Sequence, residues 1–90
     1  MLYANIFTET GSIEFHAVRE YEDRDGGKNL LMHIERSEDR KSFSDWRLPD
    51  ISCIKSYGFS EDELFRIEDY LAANESIIWD DFRREAGSNA

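Results

Sequence analysis

Residues 60–85 read SEDELFRIEDYLAANESIIWDDFRRE. The stretch decides the fold because it carries a complete helix-start signal. Ser60 can accept a hydrogen bond from the Glu63 amide while the Glu63 side chain returns to the Ser60 amide, the reciprocal pair of a capping box. Phe59 before the cap and Leu64 in the first turn supply a hydrophobic staple. Glu61, Asp62 and Glu63 favour the positive end of the helix dipole, each by roughly 0.3–1 kcal/mol when exposed. Arg83 and Arg84 stand near the other end, and Gly87 can close it. Leu64, Ile67, Leu71, Ile78 and Phe82 recur at helical spacing as an apolar stripe. That stripe has a flaw. On one uninterrupted helix Asn74 falls at its edge, and Glu68 and Glu75 lie between Leu71 and the flank formed by Phe65, Ala72 and Trp79. Burying an unpaired carboxylate is costly, so either the helix is kinked or split near Ala73–Asn74, the form slightly favoured, or it continues and those glutamates emerge at the sheet's border.

Upstream, the period changes from helical to alternating. Leu2 to Glu9 alternates, with Leu2, Ala4, Ile6 and Thr8 on one face. Thr10–Gly11 marks a turn, and Ser12 to Tyr21 alternates again with Ile13, Phe15, Ala17 and Tyr21 on one side. Pairing residue 9 with residue 12 sets Ile6 opposite Phe15 and Ala4 opposite Ala17, so the apolar faces coincide. Asp25–Gly26–Gly27 is the next turn, followed by Leu30, Met32 and Ile34 in phase. Pairing Asp23 with Lys28 sets Tyr21 opposite Leu30 and Ala17 opposite Ile34. Phe43 to Leu48 is a further strand with Trp46 and Leu48 inward, ended by Pro49. Asp50 to Tyr57 admits two readings. One is a short helix capped by Asp50 with Ile51 and Ile54 inward; the other is a loop that buries both isoleucines.

The expected fold is therefore α+β: an antiparallel meander of three or four strands with one face covered by the C-terminal helix. It forms one domain over residues 1–87, with 88–90 as a frayed tail. The expected core is Ile6, Ile13, Phe15, Met32, Ile34, Trp46, Ile67, Leu71, Ile78 and Phe82.

Charge narrows the function classes. Eleven Lys and Arg against 20 Asp and Glu leave a net charge of −9 over 90 residues. Phosphate-backbone binding needs clustered cations, so direct nucleic-acid binding is not expected. An anionic membrane surface is disfavoured for the same reason. At 40% hydrophobic and 13% aromatic residues the chain is too apolar for a disordered acidic tail. Cys53 is the single cysteine, which rules out an intramolecular disulfide, and it reads as a semi-buried small apolar residue. The opening Met1–Asn5 lacks a basic region and an apolar run, and no segment approaches the roughly 18–20 apolar residues of a membrane span. A cytoplasmic protein of a prokaryote or phage is the expectation by elimination.

Two constellations carry chemistry. His16 and His33 lie on the non-core face, His16 opposite Glu35 and His33 diagonal to it, with Glu14 on the same face. Those four residues have the donor types of a metal site, weighed against an ordinary cross-strand pair on a solvated face. No cofactor is otherwise expected. The second constellation is the acidic helix, in which 9 carboxylates face 3 arginines across residues 60–86. Glu61, Asp62, Asp69, Asp80 and Asp81 suit a basic protein surface, with Trp79, read first as packing partly in the sheet–helix core, as an aromatic anchor if partly exposed. The leading expectation is a non-enzymatic interaction protein, inhibitor- or antitoxin-like, or a mimic of nucleic acid. A metal-binding protein or metal-dependent hydrolase is the alternative. A homodimer joined through the outer sheet face, where Tyr3, Phe7, Val18 and Leu31 place apolar groups, is a third.

The stretch Ser60–Arg84, with Asn74, Ile77, Ile78 and Trp79 in its second half, resembles the C-terminal helix of a family of small bacterial proteins, domain of unknown function 4160. In that family an acidic amphipathic helix ends with Asn, a pair of aliphatics and a Trp. The resemblance covers under a third of the chain. It implies strands before the helix and a role of the kind suspected for that family, in two-gene toxin–antitoxin-like cassettes. This chain departs from the family's N-terminal Pro-Pro-His-x-His stretch, since Glu14–Phe15–His16–Ala17–Val18 keeps one His.

Overall fold

In the computed structural model, which describes residues 1–9 and 11–87, the alternating segments pair in chain order. The strands are β1 (Leu2–Thr8), β2 (Gly11–Glu22), β3 (Lys28–Arg36), β4 (Phe43–Leu48) and β5 (Ser52–Tyr57), and every neighbouring pair is antiparallel. One helix, α1 (Glu61–Gly87), follows. The architecture is the expected α+β meander and helix, with five strands rather than three or four. The tail expected at 88–90 and Thr10 of the first turn lie outside the described residues.

The fifth strand replaces both readings of residues 50–57. Ile51, two residues after Pro49, takes a positive φ of 53°, a conformation unfavourable for a β-branched residue. It turns the chain back along β4. Ile51 packs partly against the core, but Ile54 is 55% exposed and is not an inward residue. Gly58 then turns the chain toward the helix at φ 81°, where an added Cβ would lie 2.3 Å from Ser42 Oγ. Glycine is required there both by conformation and by space.

Over Ala4–Phe7 and Ile13–Ala17 the registers differ from the expected ones by two residues, an even number that keeps those side chains on their faces. Leu2, expected inward, is 54% exposed beyond an irregularity between Leu2 and Ala4, and Glu20 takes the place opposite Leu30 expected for Tyr21. Ile6 pairs with Ile13, Ala4 with Phe15, Phe15 with Ile34 and Ala17 with Met32. A bulge between Ala17 and Arg19 then shifts the rest of β2 by one residue against β3. The Asp23 carboxylate organises the β2–β3 turn, accepting from the Asp25 and Gly27 amides at 2.9 Å and from Asn29 Nδ2 at 3.1 Å. Asn29 is buried, so the contact satisfies a side chain that would otherwise be costly to bury.

Helix α1 is continuous through Ala73–Asn74, so it is not split there, and the glutamates emerge as in the second of the two expected forms. The capping box forms, with Ser60 N to Glu63 Oε1 at 2.9 Å and Glu63 N to Ser60 Oγ at 3.2 Å. Asn74 needs no break because both ends of its amide have partners. Its Oδ1 accepts from the Tyr3 hydroxyl at 3.2 Å, and its Nδ2 donates to the Tyr70 carbonyl at 2.9 Å. Glu68 is exposed and Glu75 half-buried, so the glutamates emerge beside the apolar stripe rather than beneath it.

Ile67, Leu71, Ile78 and Trp79 are the buried residues of α1. They close over Ile13, Phe15 and Ala17 of β2, Leu30, Met32 and Ile34 of β3, and Trp46 and Leu48 of β4. Ile6 and Phe82, expected in the core, pack partly buried at its margin. The indole N–H of Trp46 is satisfied inside by Ser44 Oγ at 2.9 Å. Arg36, at the end of β3, ties the helix start to the sheet. Its guanidinium donates to both Glu63 oxygens at 2.8 Å and to the Gly58 carbonyl at 2.9 Å, and stacks over Phe59 at 4.5 Å.

Leu71 is fully buried at the centre of this contact. Leu71→Asp leaves an uncompensated buried charge, and such a change costs about 3–5 kcal/mol. A domain of this size has about 5–15 kcal/mol in total. The expected circular-dichroism melt is that of an unfolded or grossly destabilised chain, whereas a melt matching the parent would refute this helix orientation.

Candidate functional site

The outer face of the sheet, opposite α1, gathers the polar side chains that the strand period places there. Glu14 pairs directly with Glu35 across β2 and β3, and His16 pairs directly with His33. This corrects the expected arrangement, in which His16 faced Glu35 and His33 lay diagonal. The two-residue register shift is the cause. Two like charges face each other across a half-buried strand pair, an arrangement that is destabilising unless something neutralises it.

Arg40 does so. It projects from the β3–β4 turn and lays its guanidinium over both carboxylates: Nη1 lies 2.9 Å from Glu14 Oε1 and in direct contact with Glu35 Oε1, and Nη2 lies 3.2 Å from Glu14 Oε2. Ser37 Oγ donates to Glu14 Oε2 at 2.8 Å and is itself hydrogen-bonded to Ser12 Oγ at 2.7 Å. His16 Nε2 lies 3.0 Å from Glu14 Oε1 and 3.6 Å from Glu35 Oε1. His33 is turned the other way, its Nδ1 2.6 Å from Asp45 Oδ1 of β4 and its Nε2 3.3 Å from Glu35 Oε2, with its ring stacked on Phe43. Glu14, His16 and Glu35 thus each present a donor atom within 4.8 Å of the others. His33 stands beside this trio and holds Glu35.

The remaining expected site residues lie on α1. Asp62, Asp69 and Asp80 are exposed, as is Glu61. Asp81 is turned aside and pairs with Arg84 at 3.2 Å. Trp79 is 8% exposed; it is a core residue and not a surface anchor. Arg83 covers its ring at 4.6 Å while reaching Glu20 of β2 at 3.5 Å. The exposed aromatic of the helix is instead Phe65, 55% accessible. Its neighbours at i−4, i−3, i+3 and i+4 are Glu61, Asp62, Glu68 and Asp69, the positions that share its helix face. No ion pair reaches these four carboxylates among the described residues. Sequence reading missed Phe65 in this role, although the i±3 and i±4 spacing held the signal.

The apolar outer-face patch expected for a homodimer is divided. Tyr3 sits at a β1 irregularity and turns toward the helix, 6.5 Å from the Tyr70 ring. Leu31 is half-buried. Phe7 of β1, which pairs with Ser12, and Val18 of β2 are both exposed, with Glu14 and His16 of the charged network between Ser12 and Val18 along β2. Cys53 is exposed at the edge strand rather than semi-buried. What burial its thiol has pushes its pKa up, which weakens it as a nucleophile.

Hydrogen bonds from Arg40 first, then from Ser37 and His16, hold the Glu14 carboxyl down at about 2 against an ordinary 4.5. A carboxylate depressed in the folded state stabilises the fold fully above its unfolded pKa, and that contribution is lost as pH falls through the folded value. Denaturant midpoints should therefore fall between about pH 4.5 and 2, and Glu14→Gln should flatten this acid limb. An acid limb of unchanged steepness in Glu14→Gln contradicts the network. Compared with known proteins, the chain matches no family model, no curated protein and no solved structure.

Proposed function

We propose that the protein is a non-enzymatic interaction module whose acidic helix face receives a basic segment of a partner protein. The observation that carries this reading is the exposed Phe65 ringed by Glu61, Asp62, Glu68 and Asp69. At 100° per residue these five positions, with Asp80 further along, span an arc of about 120° on the side of α1 away from the sheet. An aromatic face among uncompensated carboxylates suits a Lys or Arg side chain. The ring attracts the cation, by about 0.5–1 kcal/mol at an exposed site, and the carboxylates accept its hydrogen bonds. An inhibitor or antitoxin acting on a basic site, including one that normally holds nucleic acid, fits this surface. The net charge adds long-range steering, which weakens with ionic strength.

The test uses affinity capture from cells of the source organism at low and high salt. The parent is compared with Asp62→Asn/Asp69→Asn and with Phe65→Ala, all at exposed positions that leave the core intact. The expected outcome is a basic protein retained at low salt by the parent, released at high salt, and lost from both variants. Retention that is flat in salt and equal across the variants refutes the acidic-face reading.

A further inference from the structure

We propose that Glu14, His16 and Glu35 form a binding site for a divalent transition-metal ion on the outer face of the sheet, and that Arg40 is a displaceable cation standing in the ion's place. The donor set comes first: one imidazole nitrogen and two carboxylate oxygens is a combination that suits Zn²⁺ and its neighbours better than Mg²⁺ or Ca²⁺, which take oxygen alone. Spacing comes second. An ion with bonds of roughly 2.1 Å in tetrahedral geometry separates its donors by about 3.4 Å. His16 Nε2 lies 3.0 Å from Glu14 Oε1 and 3.6 Å from Glu35 Oε1. Those two distances bracket the required edge, and all three donors lie within 4.8 Å of one another, so side-chain adjustment suffices to close the third.

The third argument is the place of Arg40. The same two oxygens, Glu14 Oε1 and Glu35 Oε1, that would bind the ion both contact Arg40 Nη1. One positive atom already bridges the two carboxylate oxygens that His16 Nε2 also approaches. Arg40 reaches there from a turn, by a long side chain that is 57% exposed, so it can swing into solvent at little structural cost. The ligands themselves sit on paired strands and are held from behind. Ser37 fixes the outer oxygen of Glu14, and His33, anchored by Asp45, fixes the outer oxygen of Glu35. Such outer partners commonly govern metal affinity by roughly 10–100-fold. On binding, His16 gives its Nε2 lone pair to the ion and carries its ring proton on Nδ1, and Arg40 leaves as a solvated cation. Three protein ligands leave a fourth position for water or a ligand.

The test titrates Zn²⁺ alone into tag-free parent protein, Arg40→Ala, His16→Ala and Glu35→Gln, followed by calorimetry and by the His16 ring signals in NMR. Thermal melts with and without Zn²⁺ accompany each titration. The expected result is one ion per chain with a His16 shift, tighter binding by Arg40→Ala than by the parent, and a loss of roughly tenfold or more in His16→Ala and Glu35→Gln. Removal of Arg40 leaves two facing carboxylates, so Zn²⁺ should also raise the melting temperature of Arg40→Ala more than that of the parent. The opposite sign is the decisive feature, because a purely structural Arg40 bridge predicts no metal effect in that variant. A folded Arg40→Ala protein that binds no Zn²⁺, or binding equal in all four proteins, overturns the proposal.

Discussion

The inner face of the sheet, from Phe15 through Met32 and Ile34 to Trp46, is closed by Ile67, Leu71 and Ile78 of a single helix. With one helix covering the sheet, burial of that face falls on one apolar stripe, and roughly 1.5–3 kcal/mol accompanies each large side chain it buries. This constraint explains why α1 runs unbroken for 27 residues. A break at Ala73–Asn74 would free backbone groups at the middle of the contact. The Tyr3–Asn74 hydrogen bond makes the break unnecessary by satisfying the one polar side chain that faces the sheet there.

The same constraint sorts the charges into two separate surfaces. Carboxylates on α1 cannot enter the stripe, and four of them, Glu61, Asp62, Glu68 and Asp69, surround the exposed Phe65. Those on the strands are driven by alternation to the opposite face of the molecule, where Glu14 and Glu35 meet. The two surfaces differ in kind. The helix carboxylates around Phe65 are exposed and uncompensated, which suits a large, salt-sensitive partner. The strand carboxylates are half-buried, hydrogen-bonded by serines and histidines, and already neutralised by Arg40, which suits a small cation in defined geometry.

What could be read from the sequence followed where burial leaves a local signature. The Ser60–Glu63 box and the strand faces from Ala4 to Ile6, Ile13 to Ala17, and along β3 and β4 were legible because capping and alternation are properties of neighbouring residues. Register was not, since a period of two fixes the face but leaves even shifts free, and the bulge after Ala17 has no marker beyond its neighbours' ordinary propensities. Strand β5 escaped because most of its side chains are exposed, so it shows no apolar alternation. At the outer site, Glu14, His16, His33 and Glu35 followed from parity. Arg40 did not, because a turn residue reaches a site through side-chain length rather than through periodicity. Trp79 packs in the core, as the apolar stripe allowed, and the anchor reading of it fails because its exposure is set by tertiary packing that periodicity does not report.

The central structural claim is that α1 and the sheet are one cooperative unit along the whole helix. Native-state hydrogen exchange measures it directly, since segments that open separately show lower opening free energies than the global value. The amides of Ile67, Leu71, Asn74 and Ile78 are predicted to share the opening free energy of Phe15, Met32 and Ile34. A markedly lower value from Asn74 onward, with the first half of α1 still protected, would contradict a single continuous helix locked to the sheet.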